Sequence, residues 1–464
     1  MADYRPDPKI LELGDDFAVP VAPARFPAAI PRFLNRRAAA EVGLELDEAG
    51  WERHFHRFEP LPGNLPQPLA LRYHGHQFRV YNPEIGDGRG FLFAQLRDSH
   101  GRLLDLGTKG SGQTPFSRFG DGRLTLKGAV REVLATEMLE ALGVNTSRTF
   151  AVFETGEALQ RGDEPSPTRS AVLTRLSHGH IRIGSFQRLA YEGDREGLRR
   201  LTRYALTHLF DEPGGDPVRL LALAGERTAV LAASYLAAGF VHGVLNSDNI
   251  NVTGESFDYG PWRFTPNWDE AFTAAYFDHS GLYAFGRQPE AIHWDLAQLA
   301  GSLSLVAEAE TLQAVLDRWP EQFQRALVAA LLRRLGIAPG EAEEDLELAG
   351  ALLAALRTGE ATIDRLFFDW RGGRVPAGHD GAAFESLARR LEGREAAAGA
   401  LDHAYWRDEA PCSMHIEEVE AIWARIADAD DWSAFEAKVA AIRRMGEALQ
   451  SAPLDGGDAP LPLA

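Results

Sequence analysis

The residues able to do chemistry occur in an order that suggests work on phosphates. First comes Gly86-Asp87-Gly88-Arg89-Gly90. Glycine-rich backbone can approach phosphate oxygens with its N–H groups because no Cβ intervenes. Second is Lys109 in RLLDLGTKG, a strand-like run. GTKGSGQT is not a phosphate loop of the Walker type, in which the lysine follows the last glycine of the spaced pair and opens a helix. Third is Glu132, on a segment with helical spacing, where a carboxylate can hold Lys109; Glu137 is an alternative partner. Fourth is HGVLNSDNINVTGESFDYG, His242–Gly260. Its Asn249 carboxamide and Asp258 carboxylate are hard oxygen ligands suited to Mg²⁺ that bridges nucleotide phosphates. Taken singly, each feature has a plain reading: a turn, an edge lysine, a solvated helix acid, a polar loop. The order is what argues for a site.

The fourth segment aligns with the catalytic loop and metal-binding triplet of protein kinases. His242 falls at the loop histidine, Asn249 at the metal asparagine, and Asp258-Tyr259-Gly260 at Asp-Phe-Gly. A strand lysine near phosphates belongs to the same arrangement. One position departs. Two residues after the histidine, where the catalytic base is expected, stands Val244, which accepts no proton. The nearest replacement is Asp248. Such a chain either uses Asp248 as a displaced base or binds nucleotide without turnover.

Seven stretches resemble the SelO (selenoprotein O, or YdiU) family. They are YHGHQF (Tyr73–Phe78), IGDGRG (Ile85–Gly90), KGSGQTPFSRFGDGR (Lys109–Arg123), REVLATEMLEALGV (Arg131–Val144), TRLSHGHIRIGSF (Thr174–Phe186), GFVHGVLNSDNINVTGESFDYGP (Gly239–Pro261) and QPEAIHWDLAQLA (Gln288–Ala300). The resemblance implies an α+β, protein-kinase-like pseudokinase fold of two lobes that binds ATP in a flipped orientation. It implies a protein adenylyltransferase, which moves AMP to Ser, Thr or Tyr hydroxyls of other proteins or of itself; UMP transfer from UTP and a silent ATP-binding regulator are the alternatives. By motif, Asp248 is then the proton acceptor, and Asn249 and Asp258 hold Mg²⁺ or Mn²⁺. Arg89, Lys109, Arg175 and Arg182 hold phosphates, Gly86 and Gly88 form the glycine-rich loop, Asp121 and Gly122 line the nucleotide site, and Glu132 pairs with Lys109. Departures from the family pattern are Thr108 and Ser111 around the lysine, Lys127-Gly128-Ala129 at the helix start, and Asp295 in place of an asparagine. None removes a functional side chain.

The elements that must position these groups are legible in part. Pro20–Pro68 is proline-dense and reads as extended chain, with a short helix at Pro31–Leu44 closed near Gly43. Apolar alternation on both sides of the glycine-rich centre of Tyr81–Arg97 predicts a hairpin. A strand at Arg102–Gly110, a helix over Lys127–Gly143, and strands at Ser147–Glu154 and Ser170–Leu176 follow. Val218–Gly243 is apolar nearly all round and predicts a central buried helix. Helices are expected near Trp294–Ala307, Leu312–Leu335, Ala342–Leu356, Phe384–Ala398 and Ile416–Leu449. The expected units are an N-terminal extension with N-lobe at 1–177, a helical C-lobe at 178–450, and a flexible tail at 451–464.

Composition sets the bounds. The chain has 464 residues, with 48 Lys plus Arg against 67 Asp plus Glu, for a net charge of −19. That balance opposes non-specific binding to nucleic acid or anionic lipid, though not a local basic pocket. The single cysteine, Cys412, excludes an intrachain disulfide framework and a cysteine-rich zinc site, and reads as a small core residue or a bystander. No signal-peptide core opens the sequence, and no apolar run approaches the ~20 residues of a membrane helix. A cytoplasmic protein is the expectation. The pairs His54/His56, His74/His76 and His178/His180 lack a carboxylate cluster to complete a metal site; His74 and His76 read as structural hydrogen-bonding groups. Trp262, Trp268 and Trp294 read as core. Phe116 and Phe119 suit either packing or a lid over a nucleotide.

Overall fold

A computed structural model describes residues 3–162 and 164–450. The expected tail at 451–464 lies outside the described residues. The protein is a mixed α+β structure. Its first part folds around an antiparallel sheet of 9 strands, and its second part is mainly helical.

The sheet runs in the order Ala18–Pro20, Leu69–Leu71, Leu92–Arg97, Leu103–Lys109, Thr168–Ser177, Arg148–Leu159, Ile30–Leu34. Arg5–Pro6 and Leu124–Thr125 add short pairings. Both faces are covered, so the central strands are buried throughout. Side chains alternate between faces. Ala171 and Leu173 join the core around helix Leu126–Ala141, while Val172 joins an aromatic cluster with Trp51, Phe55, Phe93 and Phe150. The helix starts on a Thr125 side-chain cap and stops before Gly143, at φ +77°.

Helix Pro217–Ala238 begins with Asp216 capping the Val218 N–H and with proline in the first turn, where its missing N–H costs nothing. It ends at Gly239, whose left-handed φ of +70° suits glycine. By length and composition this helix could cross a bilayer, against the expectation that no apolar run approaches that length, yet it lies mostly buried inside the protein. It stops five residues earlier than expected, because Phe240–Val241 leaves it to pair with Arg263–Phe264. Those two short strands close the neck of the loop His242–Trp262.

Several expectations need correction. Pro31–Leu44 is not one helix: Ile30–Leu34 is an edge strand paired with Arg148–Leu159, and only Arg36–Glu41 is helical. The strand partner across the sheet overrides the local pattern. Tyr81–Arg97 is not a hairpin. Val80–Asn82 pairs with Gly75–Gln77, Leu92–Arg97 pairs with Leu103–Lys109, and the glycine-rich stretch is the loop between. Leu312–Leu335 splits into Ala309–Leu316 and Trp319–Leu335, the second with Pro320 in its first turn. Ile416–Leu449 splits into Ile416–Ala429 and Ser433–Gln450, broken at Asp430 with φ +50°. Phe384–Ala398 is shorter, ending at Leu391.

The glycine-rich loop is held by close approach. A Cβ on Gly90 would lie 2.0 Å from the Thr108 carbonyl oxygen, on the strand that carries Lys109. Backbone cannot yield there as a flexible side chain would. Gly90→Ala should therefore cost at least ~2 kcal/mol of stability, read as a lowered urea midpoint at unchanged m.

Candidate active site

Lys109 and Arg175 meet because of sheet register. Lys109 lies opposite Leu173 on the neighbouring strand, and Arg175 is two residues further along. The period of two puts both on the face of Leu173, toward helix Leu126–Ala141. Glu132 on that helix is fully buried and accepts from Lys109 Nζ at 2.6 Å. Arg175 Nη1 stands 3.6 Å from the other Glu132 oxygen. Glu137, the alternative partner, is engaged elsewhere: Arg443 donates to both of its oxygens at 2.7 and 2.8 Å.

Asp258 completes the cluster. Its carboxylate lies 2.9 Å from Lys109 Nζ and 3.7 Å from Arg175 Nη1. Burial would raise its pKa, but Lys109, Arg175 and Arg89 outweigh burial and hold it well below the usual carboxylate range. Its backbone sits at φ +62°, an uncommon conformation for a non-glycine residue. The next residue holds it there. The Tyr259 hydroxyl bonds to Thr146 Oγ1 at 2.5 Å and to Ser256 Oγ at 2.8 Å. His242, buried, hydrogen-bonds through Nε2 to the Phe257 carbonyl at 3.0 Å and so braces the same turn.

The loop is also stitched to the segment that follows strand Thr168–Ser177. Ile183 N–H donates to the Ile250 carbonyl, and Val252 N–H to the Ile181 carbonyl, both at 3.0 Å. This pairing brings Arg182 over the loop. Its Nη1 donates to the Asp248 carbonyl at 3.0 Å, its Nη2 reaches Asp87 at 3.4 Å, and its guanidinium lies 4.2 Å from the Tyr73 ring centre and 4.8 Å from that of Phe257. Arg175 lies over the same Phe257 ring at 5.2 Å. Arg175 Nε and Nη1 and Arg182 Nε have no hydrogen-bond partner.

These groups share one cavity of about 690 Å³. Gly86, Gly88, Arg89, Lys109, Asp121, Gly122, Arg175, Arg182, Asp248 and Asp258 all line it. Glu132 stands behind Lys109. Asn249 is not among the lining residues; its Nδ2 donates to the Val244 carbonyl at 2.9 Å. Sequence reasoning missed Tyr73, Asp87, Arg118 and Arg161 as lining residues. Tyr73 and Asp87 sit inside quoted motifs, so a signal existed. Arg118 also sits inside one, KGSGQTPFSRFGDGR, whereas Arg161 carried none and reaches the cavity by pairing with Asp121 at 2.8 Å. Phe116 packs against the glycine-rich loop, where a Gly86 Cβ would come to 2.5 Å of its ring. Phe119 is fully exposed.

Asp248 is the reactive oddity. It is buried, and its Oδ1 has no hydrogen-bond partner. Burial pushes its pKa up to about 6 against the pull of Arg182. A carboxylate so placed is a competent proton acceptor near neutral pH.

The donor set suits a divalent cation in one way only. No group of three or more His, Cys, Asp or Glu side chains able to hold a metal occurs among the described residues. Mg²⁺, however, needs only one or two carboxylates and completes its shell from phosphates and water. Asp258, the free Asp248 Oδ1 and the Asn249 carboxamide oxygen are donors of that kind. Three of the paired histidines have protein partners: His74 bonds Tyr81, His76 bonds Gln187, and His180 lies 3.1 Å from Asp105. Trp262 is buried core, and Cys412 is half-buried against the core.

Cationic walls with carboxylates between them are the equipment of an enzyme that handles nucleoside polyphosphates. Comparison with known proteins narrows the class. The chain belongs to the SelO family: the model of that family, described as protein adenylyltransferase SelO, matches residues 2–384. It is 39% identical over 461 residues to the protein nucleotidyltransferase YdiU of Synechocystis sp., covering 92% of this chain and 96% of that one. It is 42% identical over 464 residues to the protein of that name from Gloeobacter violaceus, covering 95% of each. The Synechococcus elongatus YdiU is 48% identical over 334 residues, covering 71% of this chain and 68% of that one. The chain is thus an enzyme of the protein nucleotidyltransferase class.

The buried ion cluster makes a thermodynamic prediction. Lys109→Met leaves Glu132 with only the distant Arg175 and should cost ~3–5 kcal/mol. Adding Glu132→Gln should restore part of that loss, so a double-mutant cycle by urea denaturation should show strong coupling.

Proposed function

We propose that this protein transfers AMP from ATP to Ser, Thr or Tyr hydroxyls of proteins, itself included, within a kinase-like body of an N-lobe at 1–177 and a helical C-lobe at 178–450. The observation that carries this reading is Asp248: a buried carboxylate with an unpartnered oxygen, lining the same cavity as Lys109, Arg175, Arg182 and Asp258. Val244 has no such capacity, so the acceptor role passes to Asp248.

In this reading the arginines and Lys109 hold the triphosphate, with Arg89 on the exposed side of the glycine-rich loop. Asp258 and Asn249 would hold a divalent cation, Mg²⁺ or Mn²⁺, which would supply charge neutralisation and orientation of the phosphates. Asp248 accepts the proton of the incoming hydroxyl. That oxygen forms its bond to the α-phosphorus, the bond to the bridging α–β oxygen breaks, and pyrophosphate departs. The negative charge that grows on the leaving group is met by Arg175, Arg182 and Lys109, whose donors are already fixed by the fold. Arg175 and Arg182 line the cavity and keep guanidinium N–H groups that no protein acceptor takes up.

Incubation of the purified protein with α-³²P-ATP and Mg²⁺ should label the protein itself, and γ-³²P-ATP should not. Asp258→Ala should abolish the label. Label from the γ position would instead identify a kinase. A second expectation concerns pH. Asp248 must be ionised to accept a proton, and its pKa is raised to about 6. Activity should therefore climb with pH through about 6, falling roughly tenfold per unit below it. Asp248→Asn should lower kcat by ~10²–10⁴ and erase that limb.

A further inference from the structure

One hairpin of the first part is absent from the nucleotide-holding groups yet touches the proton acceptor. Gly75–Gln77 pairs with Val80–Asn82, and the two residues between, Phe78 and Arg79, both have positive φ, at 49° and 63°. That is the pattern of a type I′ turn, which Asn-Gly suits and which Phe-Arg adopts only under strain. Residues poorly suited to a turn persist where something else depends on them.

Both side chains reach outward to a different part of the chain. The Phe78 ring packs 5.8 Å from Phe277 and 5.1 Å from Tyr283, centre to centre. Arg79 pairs with Glu290 at 3.0 Å and lies 5.3 Å over the Trp294 ring. Meanwhile the hairpin backbone grips the loop that carries Asp248. The His76 N–H donates to Ser247 Oγ at 2.7 Å. The Phe78 N–H donates to Asn246 Oδ1 at 2.9 Å, an oxygen that also takes the Tyr283 hydroxyl at 2.6 Å. Gly75 lies so close that its Cβ, if present, would come within 2.9 Å of the Asp248 Cβ. The hairpin thus touches three consecutive residues, Asn246, Ser247 and Asp248, while its tip is bolted to the segment that follows the metal loop.

We propose that the Phe78-Arg79 tip is a positioning clamp for Asp248. The side chains anchor the hairpin, and the anchored backbone holds the Asn246–Asp248 stretch at a fixed distance from the arginines of the cavity. The proposal rests on the assignment of Asp248 as proton acceptor. Gln77 of the same hairpin lines the cavity, but Phe78 and Arg79 do not; the tip acts through the loop. Small misplacements of a proton acceptor are costly, since ~1 Å can lose about a hundredfold in rate.

The test replaces the tip with the residues the turn itself prefers. Phe78→Asn/Arg79→Gly keeps the turn and removes both anchors. Thermal midpoint should stay near wild type, while amide hydrogen exchange at residues 246–248 speeds up by about tenfold or more. With ATP and Mg²⁺, kcat for pyrophosphate release should fall by at least about tenfold at an ATP KM within about twofold of wild type. Phe78→Tyr and Arg79→Lys, which keep the ring and the charge, should retain most of the rate. Should the double variant fold poorly, Arg79→Ala, at the exposed tip, is expected to move exchange and kcat the same way by less. Wild-type exchange at 246–248, or wild-type kcat, in the anchor-less variants would overturn the clamp. Asp248→Asn in the intact hairpin tests the acceptor role separately: an unchanged kcat there removes that role, and the exchange data then judge the clamp alone.

Discussion

The structure depends on a buried balance of charge. Lys109 and Arg175 face Glu132 and Asp258 at distances of 2.6 to 3.7 Å. Removing any one partner strands a charge in a medium that solvates it poorly. The cluster therefore acts as a geometric constraint. It requires the Leu103–Lys109 and Thr168–Ser177 strands in register, helix Leu126–Ala141 packed with Glu132 inward, and the Asp258 turn brought up from the second part of the chain. Four elements distant in sequence are locked by two positive and two negative groups. Arg89, Arg118 and Arg182 add positive charge around this near-neutral set.

The loop that carries Asp248 and Asp258 has almost no regular structure, yet it is held at every few residues. Phe240–Val241 and Arg263–Phe264 close its neck. Ile250 and Val252 bond to Ile183 and Ile181. Ser256 shares backbone hydrogen bonds with Asn145 and Ser147 at 2.8 Å, just beyond the helix that bears Glu132. Buried hydroxyls finish the work: Tyr235, Ser256, Tyr259 and Thr146 form a connected network beneath Asp258. Such networks specify one arrangement because each unsatisfied member is expensive in a low-dielectric interior. Irregular backbone can thus be as well placed as a helix, provided its polar groups are all answered.

Legibility from sequence followed the range of the physics. Helix Leu126–Ala141 and the buried helix Pro217–Ala238 were readable because apolar spacing and end signals are local. The failures were non-local. Ile30–Leu34 became a strand because Arg148–Leu159 offered it an edge. The glycine-rich stretch proved to be a loop because its flanking runs found partners elsewhere. The three glycines read as phosphate-approaching backbone are also spacers, packed on Phe116 and Thr108. Asn249 was read as a ligand from its place in the motif; what the fold adds is that its amide nitrogen donates to the Val244 carbonyl, which orients the carboxamide.

The sequence by itself determined which groups are available and in what order: a lysine, a carboxylate on the next helix, an asparagine and an aspartate after a buried apolar helix, and a valine where a base would stand. The motif match was enough to place the chain in its family. Only the tertiary structure decided which of them meet. Glu132 and Glu137 are equivalent in sequence, but five residues separate them by about 140° around a helix, so packing turns one to Lys109 and the other to Arg443. Arg161 and the Phe78-Arg79 hairpin likewise gain their places from contacts across tens or hundreds of residues. Local spacing fixes the face a side chain occupies; what lies opposite that face is settled by sheet register and by the burial of charge, and neither is written in any short stretch of chain.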